Sequence, residues 1–249
     1  MRSSLLNLVV ASGLAATGYA QGLPEQRRVE AERHYHAGEG LMQRETFEEA
    51  AREFKTAVEF DPEYVLAHYS LGQAYMSLKR YPDAIGAYTN CRDVIQRQGS
   101  LGMQDRAALD RQRQDEINEL QRSIQRLHSG QIKGVDPEHE VIKLEERIRV
   151  LENANQAGRE QRFQVPADLS LALGSAYLRS GQLSDAERAY LDATQVDPRL
   201  GSAYNNLAVV YMLTSRLDEA EKSVKRAEKA GFPVSPQLKK DIESRKQAK

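Results

Sequence analysis

The sequence has no tryptophan and one cysteine, Cys91. A single thiol excludes an intramolecular disulfide framework and any zinc site built on several cysteines. Only eight prolines and sixteen glycines occur in 249 residues, so long low-complexity tracts are excluded too. There is no excess charge of one sign. Lys and Arg number 35 against 36 Asp and Glu, a formal net charge of −1. That balance argues against a nucleic-acid binder, which needs a basic footprint. What remains is 40% hydrophobic and 29% charged. This is the composition of a surface-rich, helical chain.

The one long apolar run lies at the start. Arg2 supplies a positive region, and Leu5–Ala16 is a mostly apolar stretch of 12. Gly18 and Ala20 place small residues three and one positions before a cut after Ala20. This layout predicts a secretory signal peptide over residues 1–20. The run is short of the ~20 apolar residues that a spanning helix needs. Cleavage is therefore expected, followed by export without stable membrane insertion. A periplasmic destination is favoured over the outside medium. No cysteine lies near the cut, which excludes a lipoprotein anchor.

Past the leader, the pattern repeats every 34 residues. Four windows start at Ala31, Val65, Ala167 and Gly201. Their eighth positions are Gly38, Gly72, Gly174 and Ala208, and their twentieth are Ala50, Ala84, Ala186 and Ala220. The twenty-fourth are Phe54, Tyr88, Tyr190 and Val224. Pro62 and Pro198 fill the thirty-second. Each window splits into two amphipathic stretches around a short polar turn, such as Ser180-Gly181-Gln182. Small residues let two helices approach, large ones fill the space beside them, and proline ends the second helix. Gly72 and Ala84 are expected to meet across the second window. One unit cannot bury its apolar face alone, so neighbours must stack.

These positions resemble the tetratricopeptide repeat (TPR) family. The resemblance covers about 136 residues as two tandem pairs. It implies an all-α solenoid of helical hairpins. The expected organisation is a TPR pair over 21–98, an insert over 99–166, a second pair over 167–234 and a capping helix over 235–249. The cap begins near Ser235-Pro236, a favoured helix start, and carries Leu238 and Ile242.

In the insert the small positions of the repeat fall on Arg106, Asn118, Glu140 and Glu152, so it is not a further repeat. Heptad spacing replaces the repeat. Ile117, Leu120, Ile124 and Leu127 take a and d positions, as do Val141, Leu144, Ile148 and Leu151. Turn signals at Ser129-Gly130 and Gly134-Val135-Asp136-Pro137 separate the two runs. The pattern predicts an antiparallel, coiled-coil-like helical hairpin. The alternative is two amphipathic helices lying flat on the solenoid.

Catalytic chemistry has little to stand on. The sequence contains no GxGxxG, P-loop, GxSxG or HExxH motif. His34 and His68 occupy the bulky fourth repeat position, where packing is the expected role, and Cys91 occupies a small position. No catalytic residue, metal site or cofactor is expected. The family resemblance implies instead that the first helix of each unit lines a concave groove. The residues it places there are Tyr35, Met42, Tyr69, Gln73, Met76, Leu171, Leu178, Asn205, Asn206 and Met212. The family's basic clamp for a C-terminal carboxylate is not matched, because no Lys or Arg stands at those positions. The function implied is a non-enzymatic adaptor or scaffold in a bacterial cell-envelope assembly, binding a protein or peptide segment as a monomer. A structural protein that self-associates through the insert is the alternative.

Overall fold

The computed structural model describes residues 25–129, 136–159 and 165–247. The leader expected over 1–20 lies outside the described residues. All regular structure among them is helical: α1 Glu25–Gln43, α2 Phe47–Phe60, α3 Val65–Ser77, α4 Tyr81–His128, α5 Pro137–Arg159, α6 Ala167–Arg179, α7 Leu183–Val196, α8 Gly201–Leu213, α9 Leu217–Lys229 and α10 Pro236–Gln247. The chain is an all-α solenoid of helical hairpins. Its contacts divide it into two units, residues 1–97 with 164–249, and residues 98–163.

In the first unit each repeat turns in the same way. Residue 15 of every window takes a left-handed backbone: Glu45 (φ 60°), Lys79 (φ 59°), Gly181 (φ 80°) and Ser215 (φ 59°). The next N–H reaches back five residues to a carbonyl: Thr46 to Leu41, Arg80 to Tyr75, Gln182 to Tyr177 and Arg216 to Tyr211. This is a Schellman ending, which satisfies orphan carbonyls at the end of the first helix. The second helix ends at an aspartate in the first and third repeats. Asp61 and Asp197 accept hydrogen bonds from the backbone N–H of Glu63 (3.0 Å) and Arg199 (2.9 Å). These Asx turns start the next unit.

Packing within a repeat pairs positions 8 and 24, sixteen residues apart. A Cβ added to Gly38 would lie 2.6 Å from the Phe54 ring, one on Gly72 2.4 Å from the Tyr88 ring, and one on Gly174 2.6 Å from the Tyr190 ring. The three atoms nearest to such a Cβ on Gly72 all belong to the Tyr88 ring. In the fourth repeat the small residue is Ala208 and the large one shrinks to Val224. Volume is conserved across the pair.

Packing between repeats uses positions 3, 7 and 10. Ala67, Leu71 and Ala74 share a buried cluster with Ala50, Ala51, Phe54 and Ala57 of α2. Leu169, Leu173 and Ala176 share another with Ala84, Tyr88, Cys91 and Ile95. Ala203, Leu207 and Val210 are buried with the third repeat in the same way. The third repeat thus stacks on the second although 68 residues separate them in sequence. In the first repeat the same positions are Arg33, Ala37 and Gly40. None of them is buried, and Arg33 pairs with Glu30 at 2.6 Å.

A matching surface clasp ties each pair. Arg80 lies 4.7 Å over the Tyr75 ring and pairs with Asp83 and with Glu48 of the preceding repeat. Arg216 lies 4.4 Å over Tyr211 and pairs with Glu219 and with Glu187 of the preceding repeat. At the far end Val234, Leu238 and Ile242 join the fourth-repeat cluster. Lys246 bridges Asp218 and Glu221, both at 2.8 Å, which fastens α10 to α9.

In the second unit, Arg147 of α5 pairs with Glu116 of α4 at 2.9 Å. Ile117, Leu127 and Leu151 are buried, and Leu120, Ile124, Val141, Leu144 and Ile148 are half-buried. The off-seam residues Ile142 and Val150 are 61% and 54% exposed. Burial therefore follows the heptad spacing.

Candidate binding face

Helices α1, α3, α6 and α8 carry the ten residues placed on the groove. Their seats differ. Tyr35 is buried, with its ring centroid 5.1 Å from Tyr64 and 5.7 Å from Phe54. It is a core residue of the first two repeats and presents little surface. Met42 is half-buried against the same cluster. Tyr69 is half-buried with its ring 5.6 Å from Tyr88. Burial, with Asp168 nearby, pushes its phenol up to about 12. Gln73 is exposed. Met76 is half-buried against the cluster that joins the second and third repeats.

Leu171, Leu178, Val209 and Met212 are half-buried against the fourth-repeat cluster. The Met212 carbonyl accepts a hydrogen bond from Arg245 Nη1 of α10 at 3.2 Å. The C-terminal helix thus borders this end of the face.

The polar residues of this face make local hydrogen bonds. Ser175 Oγ donates to the Leu171 carbonyl at 2.9 Å, and Tyr190 Oη donates to Ser175 Oγ at 3.3 Å. Asn205 Nδ2 donates to Asn206 Oδ1 at 3.3 Å. Tyr190 was legible in the sequence only as a large core residue. The available signal was a hydroxyl on the ring where the first repeat has Phe54, with Ser175 at the groove-facing ninth position.

Residues that carry chemistry elsewhere are taken up by packing. Cys91 is fully buried, its Sγ donates to the Val65 carbonyl at 3.5 Å, and burial pushes the thiol up to about 12. Such a thiol is held as the unreactive neutral form. His34 stacks on Phe60 and pairs with Glu53 at 2.6 Å. His68 is buried beside the Pro62 carbonyl. Among the described residues, no group of three or more His, Cys, Asp or Glu could hold a metal ion. No described helix is long and apolar enough to cross a membrane.

Profiles of the tetratricopeptide repeat match residues 38–79 and 171–236. The chain carries tetratricopeptide repeats. Repeats of this kind are protein-interaction modules. No curated protein matches the chain significantly. Among solved structures, the type IV pilus biogenesis factor PilW is 15% identical, covers 88% of this chain and 92% of its own, and has a TM-score of 0.38. A thermophilic TPR protein from Thermus thermophilus is 18% identical over 86% of this chain and 98% of its own, with a TM-score of 0.34. YrrB, a TPR protein with an unusual peptide-binding site, is 16% identical over 86% and 90%, with a TM-score of 0.30.

Proposed function

We propose that the protein is a non-enzymatic adaptor that binds a protein or peptide segment on the face formed by α1, α3, α6 and α8. The observation that supports this most is the half-exposed apolar set Met42, Met76, Leu171, Leu178 and Met212. Methionine and leucine side chains of this kind form an adaptable surface. The leader over 1–20 is cleaved, the mature chain is exported to the periplasm as a monomer, and it serves a cell-envelope assembly. The helical insert offers a second contact. Its near-equal charge, 11 basic against 12 acidic residues over 99–166, disfavours nucleic acid as the partner. The test is crosslinked capture from native envelopes with the full chain. Changing Tyr69, Met76 and Asn206 to Ala should cut partner recovery while circular dichroism stays unchanged. Undiminished recovery would move the binding surface to the insert or to the second helices.

A further inference from the structure

Repeat positions 2, 5, 6, 9 and 12 of the four first helices build the face, and among their residues only Tyr35 is buried. Lys and Arg make up 35 of the 249 residues of the chain, yet none stands at these positions. Three carboxylates do: Glu32 and Glu39 on α1, and Asp168 on α6. Glu32 is exposed, and Glu39 and Asp168 are half-buried. Glu32 and Glu39 stand two helical turns apart, so they share one side of α1 at a spacing of about 10 Å. His36 lies between them and pairs with Glu39 at 3.1 Å. The nearby arginines of α1 are engaged elsewhere, Arg28 with Glu25 at 3.9 Å and Arg33 with Glu30 at 2.6 Å. After burial and Tyr35, it is Glu32, Glu39 and Asp61 that hold the Tyr64 phenol above its ordinary value, so their field reaches the boundary with the second repeat. Asp168 adds to burial in the same way at Tyr69 of the second repeat. At the opposite end of the face the exposed Arg245 of α10 donates to the Met212 carbonyl at 3.2 Å.

Resting on the binding reading above, we propose that the segment held on this face is cationic at one end. Its Lys or Arg side chains lie over Glu32, Glu39 and Asp168, and its apolar side chains lie over Leu178 and Met212. A carboxylate covered by a partner loses hydration, and only a cation on that partner makes up the loss. An acidic segment would bring like charge to like charge and is rejected. The long stems of Lys and Arg can also run along Met42 and Met76 while their heads reach the carboxylates. Arg245 repels cations from the far end, so charge fixes which end of the segment meets α1. Methionine and leucine adapt to many apolar side chains, which leaves the carboxylates to set the choice of partner.

The probe is a random dodecamer display library, selected on the full chain at about 50 mM salt, where charge pairs are weakly screened. Two triple variants are selected in parallel. One is Glu32→Gln, Glu39→Gln and Asp168→Asn. The other is Glu49→Gln, Asp192→Asn and Glu243→Gln, which removes the same charge from exposed residues away from the face. Wild type and the second variant should yield peptides with Lys or Arg beside apolar residues. The first variant should lose the basic residues and keep the apolar ones. For a resynthesised wild-type peptide, each amide substitution on the face should cost about 2- to 5-fold in affinity, the range of one exposed ion pair. Added salt should weaken wild type more than the first variant. The single substitutions are measured beside circular dichroism, so a loss of helicity in the triple variant leaves the test intact. Basic peptides that bind both triple variants equally respond to net charge alone and overturn the inference. Peptides without Lys or Arg that are weakened by Leu178→Ala overturn the cationic reading and leave the binding face standing. A library yielding no peptide sensitive to Leu178→Ala overturns the binding face, and this inference with it.

Discussion

Tyr88 lies so close over Gly72 that a single added carbon would sit 2.4 Å from the ring. Both belong to the second repeat, on α3 and α4, and the contact sets how near those two helices lie. Gly72→Ala should destabilise by about 1–3 kcal/mol, the usual cost of overpacking a core. Gly86 meets nothing within 4 Å in the same test, so Gly86→Ala should stabilise by about 0.5–1 kcal/mol. Adding Tyr88→Val to Gly72→Ala reproduces the Ala208 and Val224 pairing and should recover part of the loss. Urea denaturation of the three variants measures this. Additive losses in the double variant would show that the two positions are not a volume pair.

The left-handed turns give a second prediction. Lys79 and Ser215 hold a backbone that costs a residue with a side chain about 1–2 kcal/mol, and Gly181 shows the alternative at the same repeat position. Lys79→Gly should raise the melting temperature, part of the relief being offset by the greater freedom of glycine in the unfolded chain. Gly181→Ala should lower it. A fall on Lys79→Gly would mean that the lysine side chain contributes more than its backbone strain.

Acid sensitivity should trace in part to His68. Its Nε2 donates to the Pro62 carbonyl at 2.9 Å, and Nδ1 is buried without a hydrogen-bond partner. Burial holds its pKa below the ordinary histidine value, against the pull of Pro62 and Glu63, and Arg97 adds to the lowering. An unfolded chain takes up this proton near pH ~6.5. The folded chain takes it up only at lower pH, so the unfolded state binds more protons in between. The stability from neutral His68 is therefore full above that window and is lost as pH falls through it. Denaturation midpoints should decline from pH 7 to pH 5 more steeply in wild type than in His68→Gln, which keeps a donor and cannot titrate. Parallel declines would remove His68 from the account.

Excision of the insert tests the repeat stack. Leu169, Leu173 and Ala176 already bury against Ala84, Tyr88 and Ile95. Replacing residues 101–160 by a short Gly/Ser linker should leave a cooperative, monomeric core by circular dichroism and light scattering. Aggregation would show that the second and third repeats need the insert to stay stacked. A dimeric parent with a monomeric deletion would favour self-association through residues such as the exposed Ile142 and Val150.

The repeat phase, its helices and the final helix were legible because they are written as periodic size and polarity. In the insert, Ile117, Leu127 and Leu151 keep heptad spacing and are buried. Partners across space were not legible. Positions 8 and 20 are both small, but their sizes did not reveal that the ring at position 24 lies against the glycine. Only Gly181 announces the left-handed turn, while Glu45, Lys79 and Ser215 adopt it without a sequence signature. Tyr35 stands at a groove-facing position, but Tyr64 at the repeat boundary packs against its ring within the core. The hydrogen bond from Tyr190 of α7 to Ser175 of α6 forms across space, so the spacing along the chain did not reveal it.

Arg33, Ala37 and Gly40 stand where later repeats bring Ala67, Leu71 and Ala74 to bear on the unit before them. A helix with a charge and two minimal side chains on that edge has no key for a further lock. Duplicating the first repeat in tandem would therefore fail to lengthen the stack, whereas duplicating the third would supply Leu169, Leu173 and Ala176 ready to dock. An engineered extension ahead of α1 would need at least Arg33→Ala and Ala37→Leu. With α10 fastened over the fourth repeat, the chemistry of these two edges, and not the repeat pattern, resists the docking of a further unit.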